Sequence, residues 1–270
     1  MKQLTLVSFY GPKNTAFVEY MDALHSEIKK SELAAWYRPY DIDQIHGTLI
    51  GLEKLVGFQE HFNRNIWEKD GLKRLMQTDC ILEIIERYLE ETIIRMGGIQ
   101  KGTSAFHSWG RDPYDRMFNI QADRLNINGW PYTAQADEVR CAESLVDLRS
   151  AFYQQANIQH KYHQQKDNDF YMVLGRLDFK GLSAREIETT CKPAMRALKK
   201  TITEKMSTKL LELKLAIDNT FLVQYEDKDL NRRRSKSWNI EVLRSNPDFI
   251  QQLYDDRMPK LIPEEQHAIG

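Results

Sequence analysis

Short β-rich segments alternate with amphipathic helical segments along this chain, and that order limits the possible folds more than any other feature. Residues 4–9, 44–52 and 171–177 are apolar and partly β-branched, which is typical of strands. Between the first two segments, apolar residues recur at spacings of three and four, as on one face of a helix: Phe17, Met21, Leu24 and Ile28. The start of the chain therefore predicts a β-α-β unit.

A helical insertion is predicted to follow this unit. Its clearest feature is an apolar helical face that comprises Ile81, Ile84, Ile85, Tyr88, Leu89 and Ile93. We expect this helix to end before Gly97-Gly98. A loop that is rich in Gly, Ser, His and Arg should then extend to residue 115.

The remaining segments predict a second β-α-β unit and a final pair of strands. Residues 118–130 suit a hairpin with its turn near Ala122-Asp123, and residues 143–162 and 187–202 suit helices. Strict alternation in residues 211–217 predicts a half-buried strand. We expect it to form a hairpin with residues 220–225 across Asp218-Asn219.

These elements predict an α+β fold in a single two-lobed domain, with quasi-repeated β-α-β units around a central cleft. The first lobe begins with residues 1–53, and residues 54–117 form the helical insertion and loop. Residues 118–230 form the second lobe, and residues 231–270 form a polar C-terminal extension.

The composition narrows the functional classes. The 270 residues are 41% hydrophobic and 29% charged, which supports a sizeable core. The formal net charge of −1 lacks the basic excess of a typical duplex-DNA binder. No apolar run approaches the ~18 residues of a membrane span, and three scattered cysteines argue against a zinc site or disulfide framework. We therefore expect a cytoplasmic protein that binds neither duplex DNA nor membranes.

His46, Gly47 and Thr48 form the first motif that suggests chemistry. Residues two apart on a strand share a face, so His46 and Thr48 should point the same way. An imidazole transfers protons near neutral pH, and a threonine hydroxyl donates a hydrogen bond to phosphate oxygen. The alternative is a strand histidine that is satisfied by a neighbour. The triplet alone favours that alternative, because His-x-Ser/Thr arises by chance in a chain with seven histidines.

The order strand, helix, then a strand reading HGTLIGLE resembles the first half of the two-histidine phosphoesterase superfamily. That group includes the 2′-5′ RNA ligase-like enzymes and the RNA 2′,3′-cyclic phosphodiesterases, whose two lobes each contribute a His-x-Thr/Ser strand to a cleft. The second motif is commonly followed by leucine and, two residues later, arginine. Here the second strand reads YMVLGR from residue 171, so Leu174 and Arg176 fit, whereas Tyr171 and Val173 replace His and Thr/Ser. The resemblance covers residues 4–52 and 118–225.

This resemblance implies a hydrolase that acts on a nucleotide or RNA-end phosphodiester, including 2′,3′-cyclic phosphates. It implies acid–base catalysis that needs no metal and no other cofactor. His46 would be the acid or base, Thr48 would contact the phosphate, Tyr171 would be the altered second partner, and Arg176 would bind phosphate nearby.

The replacement of the second histidine leaves three interpretations open. In the first interpretation, Tyr171 serves as the acid, although the ordinary pKa of tyrosine is about 10 and that of the histidine it replaces is about 6.5. His160 or His163 folds back into the cleft, although both suit the surface of a polar helix end. In the third interpretation the chain has lost catalysis and binds RNA, a nucleotide or a protein, and the sequence identifies no protein partner.

A glycine-containing loop at residues 106–116 supplies further candidates for substrate binding. Trp109 and Tyr114 suit stacked bases, and Arg111 and Arg116 suit phosphate through bidentate hydrogen bonds. The alternative, which the sequence favours equally, is an ordered loop that is anchored by its own aromatic residues and Arg–Asp pairs.

Three consecutive arginines at residues 232–234 suit a nucleic-acid backbone. Acidic residues precede them, however, and a solvated turn with balanced charges is the interpretation that we favour.

Overall fold

The computed structural model describes residues 2–89, 92–132, 141–162 and 166–255, and it confirms the α+β class. Ten strands belong to one sheet, and every strand pairing among these residues is antiparallel. The strands are β1 (Gln3–Ser8), β2 (Tyr37–Pro39), β3 (Gly47–Gly51), β4 (Ile93–Gly97), β5 (Phe118–Gln121), β6 (Arg124–Tyr132), β7 (Phe170–Leu177), β8 (Leu210–Lys214), β9 (Thr220–Tyr225) and β10 (Lys236–Asn239).

Helices connect these strands. They are α1 (Thr15–Lys30), α2 (Arg64–Asp70), α3 (Ile81–Leu89), α4 (Ser144–Ala156), α5 (Ala184–Glu186), α6 (Lys192–Ser207), α7 (Val242–Ser245) and α8 (Phe249–Tyr254). A π-helical turn at Ile187–Cys191 joins α5 to α6. No helix in the described ranges is long and apolar enough to cross a membrane.

The strand order places the two motif-bearing strands side by side. The order is β10-β9-β1-β3-β7-β6-β4-β8, with β2 also paired to β7 and β5 to β6. Helix α1 links the neighbours β1 and β3, and helix α4 links the neighbours β6 and β7. Strands β3 and β7 are therefore the meeting point of two helix-connected strand pairs.

Helix α1 illustrates how the sequence specifies its elements. The Asn14 side chain accepts a hydrogen bond from the Phe17 backbone N–H at 2.9 Å, which caps the first turn. Lys29 and Lys30 lie in the last turn, where positive charge complements the helix dipole. The four apolar residues predicted to form its inner face are all buried.

The two faces of the sheet have different surroundings. One face carries Leu6, Leu49, Ile127 and Met172, which are fully buried in the main hydrophobic core. At about 25 cal/mol per Å² of buried apolar surface, this core supplies most of the driving force for folding.

The opposite face is more polar, and we call it the polar face. Its apolar part is a small cluster of Val7, Tyr10, Val223, Tyr225 and Leu230. The remainder consists mostly of polar side chains from the central strands, some half-buried and some buried, and this is where the candidate site lies.

The sheet is strongly curved. Strands β8 and β9 are six steps apart in the strand order, which is about 29 Å in a flat sheet at about 4.8 Å per step. The five residues 215–219 that join them span at most about 20 Å. The two ends of the sheet therefore approach one another.

The predicted hairpin of residues 211–217 with 220–225 is wrong. Strand β8 pairs with β4, whereas β9 pairs with β1 and β10. The alternation in β8 does reflect a half-buried strand, but a 3₁₀ turn at Ile217–Asn219 leads the chain to a different neighbour. Alternation of apolar and polar residues specifies which face of a strand is buried, but it does not specify which strand pairs with it.

The predicted helix around residues 81–93 is too long, and a strand was missed. Helix α3 ends at Leu89, and Ile93 begins β4. The β-branched run from Thr92 to Ile94 prefers extended structure, and Gly97 ends the strand with a positive φ of 78°.

Two further segments differ from expectation. Residues 37–39, which lie between the first predicted helix and the second predicted strand, form β2 against β7. Beyond residue 230, a segment predicted to be a polar extension contributes β10 to the sheet and buries Phe249 and Ile250 of α8 in the core. Residues 256–270 lie outside the described ranges.

Candidate active site

Strands β3 and β7 bring the two halves of the predicted site into register. Gly47 lies directly opposite Met172 in the antiparallel pairing. Thr48 is therefore opposite Tyr171. His46 lies one residue before β3 and, in the same register, is opposite Val173. Because directly opposed residues share a face, His46, Thr48, Val173 and Tyr171 all belong to the polar face.

Gly47 is required by packing on the other side of the sheet. A Cβ atom at this position would lie 2.1 Å from the Phe170 ring, which is far inside van der Waals contact. The glycine of the His-Gly-Thr motif thus allows β3 and β7 to approach closely, while its two neighbours face the opposite way.

His46 is held in one orientation and one tautomer. Its Nδ1 lies 2.6 Å from the Gln44 carbonyl oxygen, which only accepts, so Nδ1–H is the donor and Nε2 carries the lone pair. The Tyr10 ring meets the imidazole edge to face, with centroids 5.6 Å apart. Burial lowers the pKa of His46 to about 4, and the positive charge of Lys13 adds to this effect. The imidazole is therefore neutral at pH 7.

Three groups on the polar face lack a hydrogen-bond partner among the described residues. Within the part of the chain that the structure describes, neither His46 Nε2, nor Thr48 Oγ1, nor the Tyr171 hydroxyl makes a hydrogen bond. All three side chains are half-buried. Burial raises the pKa of Tyr171 to about 12, so its hydroxyl is protonated and available as a donor at neutral pH.

Two buried amides extend this row of side chains onto β6. Asn128 is opposite Tyr171 and Asn126 is opposite Val173, and each is only 1% exposed. Asn128 Nδ2 donates to the Arg116 carbonyl at 3.1 Å. Among the described residues, Asn126 Nδ2 and Asn128 Oδ1 have no partner, which is unusual for buried polar atoms.

A β-bulge turns Arg176 toward the same face. Leu125 pairs with Gly175, but the next residue, Asn126, pairs with Val173, so Leu174 is an extra residue in β7. The extra residue reverses the alternation beyond it. Arg176 therefore lies on the face of Val173, and not on the core side that simple alternation would give.

Carboxylates pair with the arginines at this end of the site, and Asp229 contacts two of them. Asp229 Oδ1 accepts from Arg124 Nη2 at 3.1 Å and forms a close ion pair with Arg176 Nη2. Arg176 Nε also donates to the Tyr40 hydroxyl at 3.1 Å, and Asp123 lies 3.5 Å from Arg176 Nη1. Arg176, predicted to bind phosphate, is thus already paired with protein carboxylates.

Lys13 supplies a second cationic group near His46. Its Nζ donates to the Gly11 carbonyl and, at 3.3 Å, to the Asp43 carbonyl. Burial lowers the pKa of Lys13 to about 7, the Asp43 charge opposes this shift, and the nearby Arg232 charge adds to it. The positive charge that Lys13 places near His46 is therefore lost as the pH rises through about 7.

Buried carboxylates hold the 106–116 loop over the other end of the polar face. Asp169 Oδ1 accepts from Ser108 Oγ at 2.6 Å and from Trp130 Nε1 at 2.7 Å, and its other oxygen pairs with Arg116. Asp167 accepts from Trp109 Nε1 at 3.2 Å. These bonds use the polar groups of Trp109 and Arg116 within the protein.

The other two loop candidates occupy different environments. Tyr114 is half-buried and packs against the main core. Arg111 is exposed and makes no ion pair with any described residue. Of the four predicted loop residues, Arg111 is the one whose charge is available to a ligand.

His160 belongs to the loop-anchoring network. Its Nε2 lies 2.9 Å from Asp167 Oδ2, and Arg149 Nη1 lies 3.3 Å from the same oxygen. Burial raises the pKa of Asp167, but the bond to His160 and the charge of Arg149 outweigh burial and lower it to about 2. His163 lies outside the described residues.

The arginine run packs beside the site. Arg232 pairs with Asp43 at 3.1 Å and lies over the Tyr10 ring. Arg234 lines a groove of about 730 Å³, together with Arg124, Arg176 and three residues of the preceding loop. That groove adjoins the site through Arg176, but His46, Thr48 and Tyr171 are not part of its lining. No group of His, Cys, Asp and Glu in the described ranges has the arrangement of a metal site.

Sequence reasoning missed Asp167, Asp169 and Asp229. The first two immediately precede the apolar strand β7, and a pair of carboxylates at a strand entrance is a usable signal. Asp229 is distant in sequence from both arginines that it binds, so no local pattern indicates its role.

Comparisons with known proteins give little information. No protein-family model matches the chain, and no curated protein sequence matches it. One similar solved structure is a conserved protein of unknown function from Agrobacterium tumefaciens. It is 9% identical, the match covers 79% of this chain and 81% of that chain, and the TM-score is 0.37. A likeness at this level carries no argument about function.

Proposed function

We propose that the polar face binds a phosphodiester, at an RNA end or in a cyclic nucleotide, and hydrolyses it with His46 and Tyr171. One observation carries this proposal. A neutral imidazole nitrogen and two hydroxyl groups, from His46, Thr48 and Tyr171, lie on one face of two adjacent strands, and none of them has a hydrogen-bond partner among the described residues. Polar groups that are half-buried and unpaired suit a polar ligand.

The proposed reaction is the opening of a 2′,3′-cyclic phosphate. His46 Nε2 accepts a proton from water as the water oxygen bonds to phosphorus. The bond from phosphorus to the leaving ribose oxygen breaks, and the Tyr171 hydroxyl donates its proton to that oxygen. Solvent then carries the proton from His46 back to the Tyr171 phenolate. Thr48 donates a hydrogen bond to a non-bridging phosphate oxygen.

The charges around His46 suit this role. A histidine with a pKa of about 4 is a weak base in the free protein. A phosphate anion beside the ring favours its protonated form and raises the pKa of His46 toward neutrality. Binding of the substrate therefore strengthens the base that acts on it.

We further infer that the sheet is built from two related halves. The units β1-α1-β3 and β6-α4-β7 each join neighbouring antiparallel strands through a helix. Outward from the central pair, β1 and then β9 follow β3, and β6 and then β4 follow β7. This correspondence supports the two-lobed arrangement and the resemblance to two-histidine phosphoesterases.

Binding without catalysis is the second candidate, and two residues favour it. Tyr171, with a pKa of about 12, is a poor proton shuttle at pH 7. Val173 stands where the resemblance implies a second hydroxyl. In this alternative the polar face recognises a phosphate and releases it unchanged.

Turnover of 2′,3′-cyclic mononucleotides and of RNA with a cyclic phosphate end separates the two candidates. We expect the wild type to open the ring and His46→Ala to be slower by about 10²–10⁴-fold, the usual contribution of one acid–base group. The fold should be retained, because His46 contributes little to the core. Equal rates for both proteins would remove His46 from the mechanism, and binding without turnover would select the second candidate.

A further inference from the structure

A surface outside the candidate active site concentrates the exposed apolar side chains of the molecule. Five of the seven large hydrophobic residues that are exposed in the described ranges lie between β3 and α3: Val56, Phe58, Trp67, Leu72 and Leu75. Single exposed apolar residues are ordinary, but a concentration of them marks an interaction surface. His46 precedes β3 and this segment follows it, so the two lie toward opposite ends of that strand.

Aromatic rings and cations alternate across this surface. Lys73 Nζ is 4.1 Å from the centroid of the Phe58 ring and 5.9 Å from that of Trp67. Phe58 is 37% exposed and Trp67 39% exposed, so both rings also present a free surface to solvent. Lys73 thus lies within reach of two exposed rings.

The pattern continues at the half-buried ring of Tyr153 on α4. Lys69 Nζ lies 5.8 Å from its centroid and the Arg74 guanidinium 5.7 Å. Lys73 and Arg74 are neighbours in the chain and connect the two groups, which we together call the platform: Phe58, Trp67, Tyr153, Lys69, Lys73 and Arg74.

The cations of the platform are not neutralised by carboxylates of the described residues. Among the described residues, Lys69, Lys73 and Arg74 have no carboxylate within ion-pair distance, whereas Arg64 on the same helix as Lys69 pairs with Glu68 at 2.7 Å. Unpaired cations beside rings are available to an anionic partner.

We propose that this platform binds single-stranded nucleic acid, with bases stacked on the rings and phosphates held by the cations. Stacking needs an exposed ring face and tolerates every base, and phosphates recur beside each base, so alternation of rings and cations matches the ligand. A duplex hides its base faces and would use only the cations. This binding is separate from the phosphodiester chemistry proposed at His46 and does not depend on it.

Binding of labelled oligouridylate and oligothymidylate of about ten nucleotides, both with 3′-hydroxyl ends, tests the proposal by fluorescence anisotropy. We expect Trp67→Ala to weaken binding by about 5- to 100-fold, the usual effect of losing one stacked base. Lys73→Gln should reduce the slope of log affinity against log salt by about 0.7, because one phosphate contact is lost.

Leu72→Ser is the matched control, because it removes an exposed apolar side chain but no ring and no charge. Its affinity for the oligonucleotides should equal that of the wild type. Absence of binding by the wild type at low salt, or unchanged affinity in a folded Trp67→Ala protein, would overturn the proposal. Equal losses in Leu72→Ser and Trp67→Ala would also overturn it and would indicate a surface for a protein partner.

The oligonucleotides carry no cyclic phosphate, so this assay is independent of catalysis. Turnover of a cyclic mononucleotide should be the same in Trp67→Ala as in the wild type. A failure of the platform is therefore distinguishable from a failure of the phosphodiesterase proposal.

Discussion

Thr48 lies directly opposite Tyr171 across the central pair of strands, and neither hydroxyl is bound by a described residue. In an antiparallel pair such residues have Cβ atoms about 4.5–5.5 Å apart. One phosphate group is therefore within reach of both hydroxyls, with His46 two residues along the strand from Thr48. This relationship determines what substitutions at Tyr171 and Val173 should do.

Tyr171→Phe removes the proposed acid and leaves the ring in place. We expect the rate of cyclic phosphate hydrolysis to fall by about 10²–10⁴-fold while the affinity for the product changes little. Steady-state kinetics and product titration measure the two effects separately. An unchanged rate would mean that solvent, and not Tyr171, protonates the leaving oxygen.

The double substitution Tyr171→His with Val173→Thr restores the second motif of the resemblance. A histidine titrates near neutral pH, so this variant should exceed the wild-type rate and shift the pH optimum toward neutrality. Tyr171→His alone is the comparison that isolates the missing hydroxyl. A folded, ligand-binding double variant without turnover would count against an altered two-histidine site.

Acidification should destabilise the protein through His46. Its pKa is about 4 in the folded chain and about 6.5 when unfolded, so the unfolded chain binds more protons between these values. The free energy of unfolding should therefore fall as the pH drops from about 6.5 to 4, by up to about 3 kcal/mol from this group.

Urea denaturation of the wild type and His46→Gln at pH 7 and pH 4.5 measures how much of the loss in the free energy of unfolding comes from His46. His25, whose pKa burial also lowers to about 4, remains in both proteins and provides the common background. The variant should lose less stability on acidification than the wild type. The same loss in both would show that His46 is not desolvated as the structure indicates.

Asp229→Asn should increase the affinity of the site for inorganic phosphate. The carboxylate binds both Arg124 and Arg176. Its removal leaves Arg124 without an ion pair among the described residues and leaves Arg176 with only the longer contact to Asp123, so both become more available to an anion. We expect a gain of about tenfold, in line with about 1.5 kcal/mol for a hydrogen bond to a charged group. Calorimetric titration gives the affinity.

Glu226→Gln serves as the control for that titration, because it makes the same charge change in the same loop without touching either arginine. A similar gain in both variants would mean that overall charge, and not release of the arginines, causes the effect.

Gly47→Ala should destabilise the fold by about 1–3 kcal/mol, because the new methyl group overlaps the Phe170 ring. Chemical denaturation measures this loss. Phe170→Leu makes room at the same place, so the double variant should be more stable than the sum of the two single effects predicts. Strict additivity would argue against the contact.

Local elements of this fold are largely predictable, because the periodicity of a helix or a strand can be recognised within a short stretch of sequence. The apolar stripe of α1, the hairpin of β5 and β6 and the alternation of β8 all follow from the sequence. The failures concern element boundaries, as at the end of α3, and the choice of strand partners. The β8–β9 hairpin was wrong because neighbouring strands in sequence joined different strands in space.

The site was predictable only in part for the same reason. Alternation places His46 and Thr48 on one face, but it does not show that β3 lies beside β7. The bulge at Leu174 changes the face of Arg176, and its one local signal is Gly175, since an isolated glycine in a strand often marks a bulge or a close backbone approach. Asp229 reaches Arg176 from a loop distant in sequence, so its pairing depends on the completed fold.

The pairing of β1 with β9 has a consequence for biosynthesis. Gln3 lies opposite Tyr225, so one edge of β1 stays unpaired until β9 has been synthesised and has left the ribosome. Translation proceeds at about 5–20 residues per second, and an apolar strand with an open edge is a template for aggregation during that interval. Nascent chains that stop before β9 should therefore precipitate and not form a smaller folded protein.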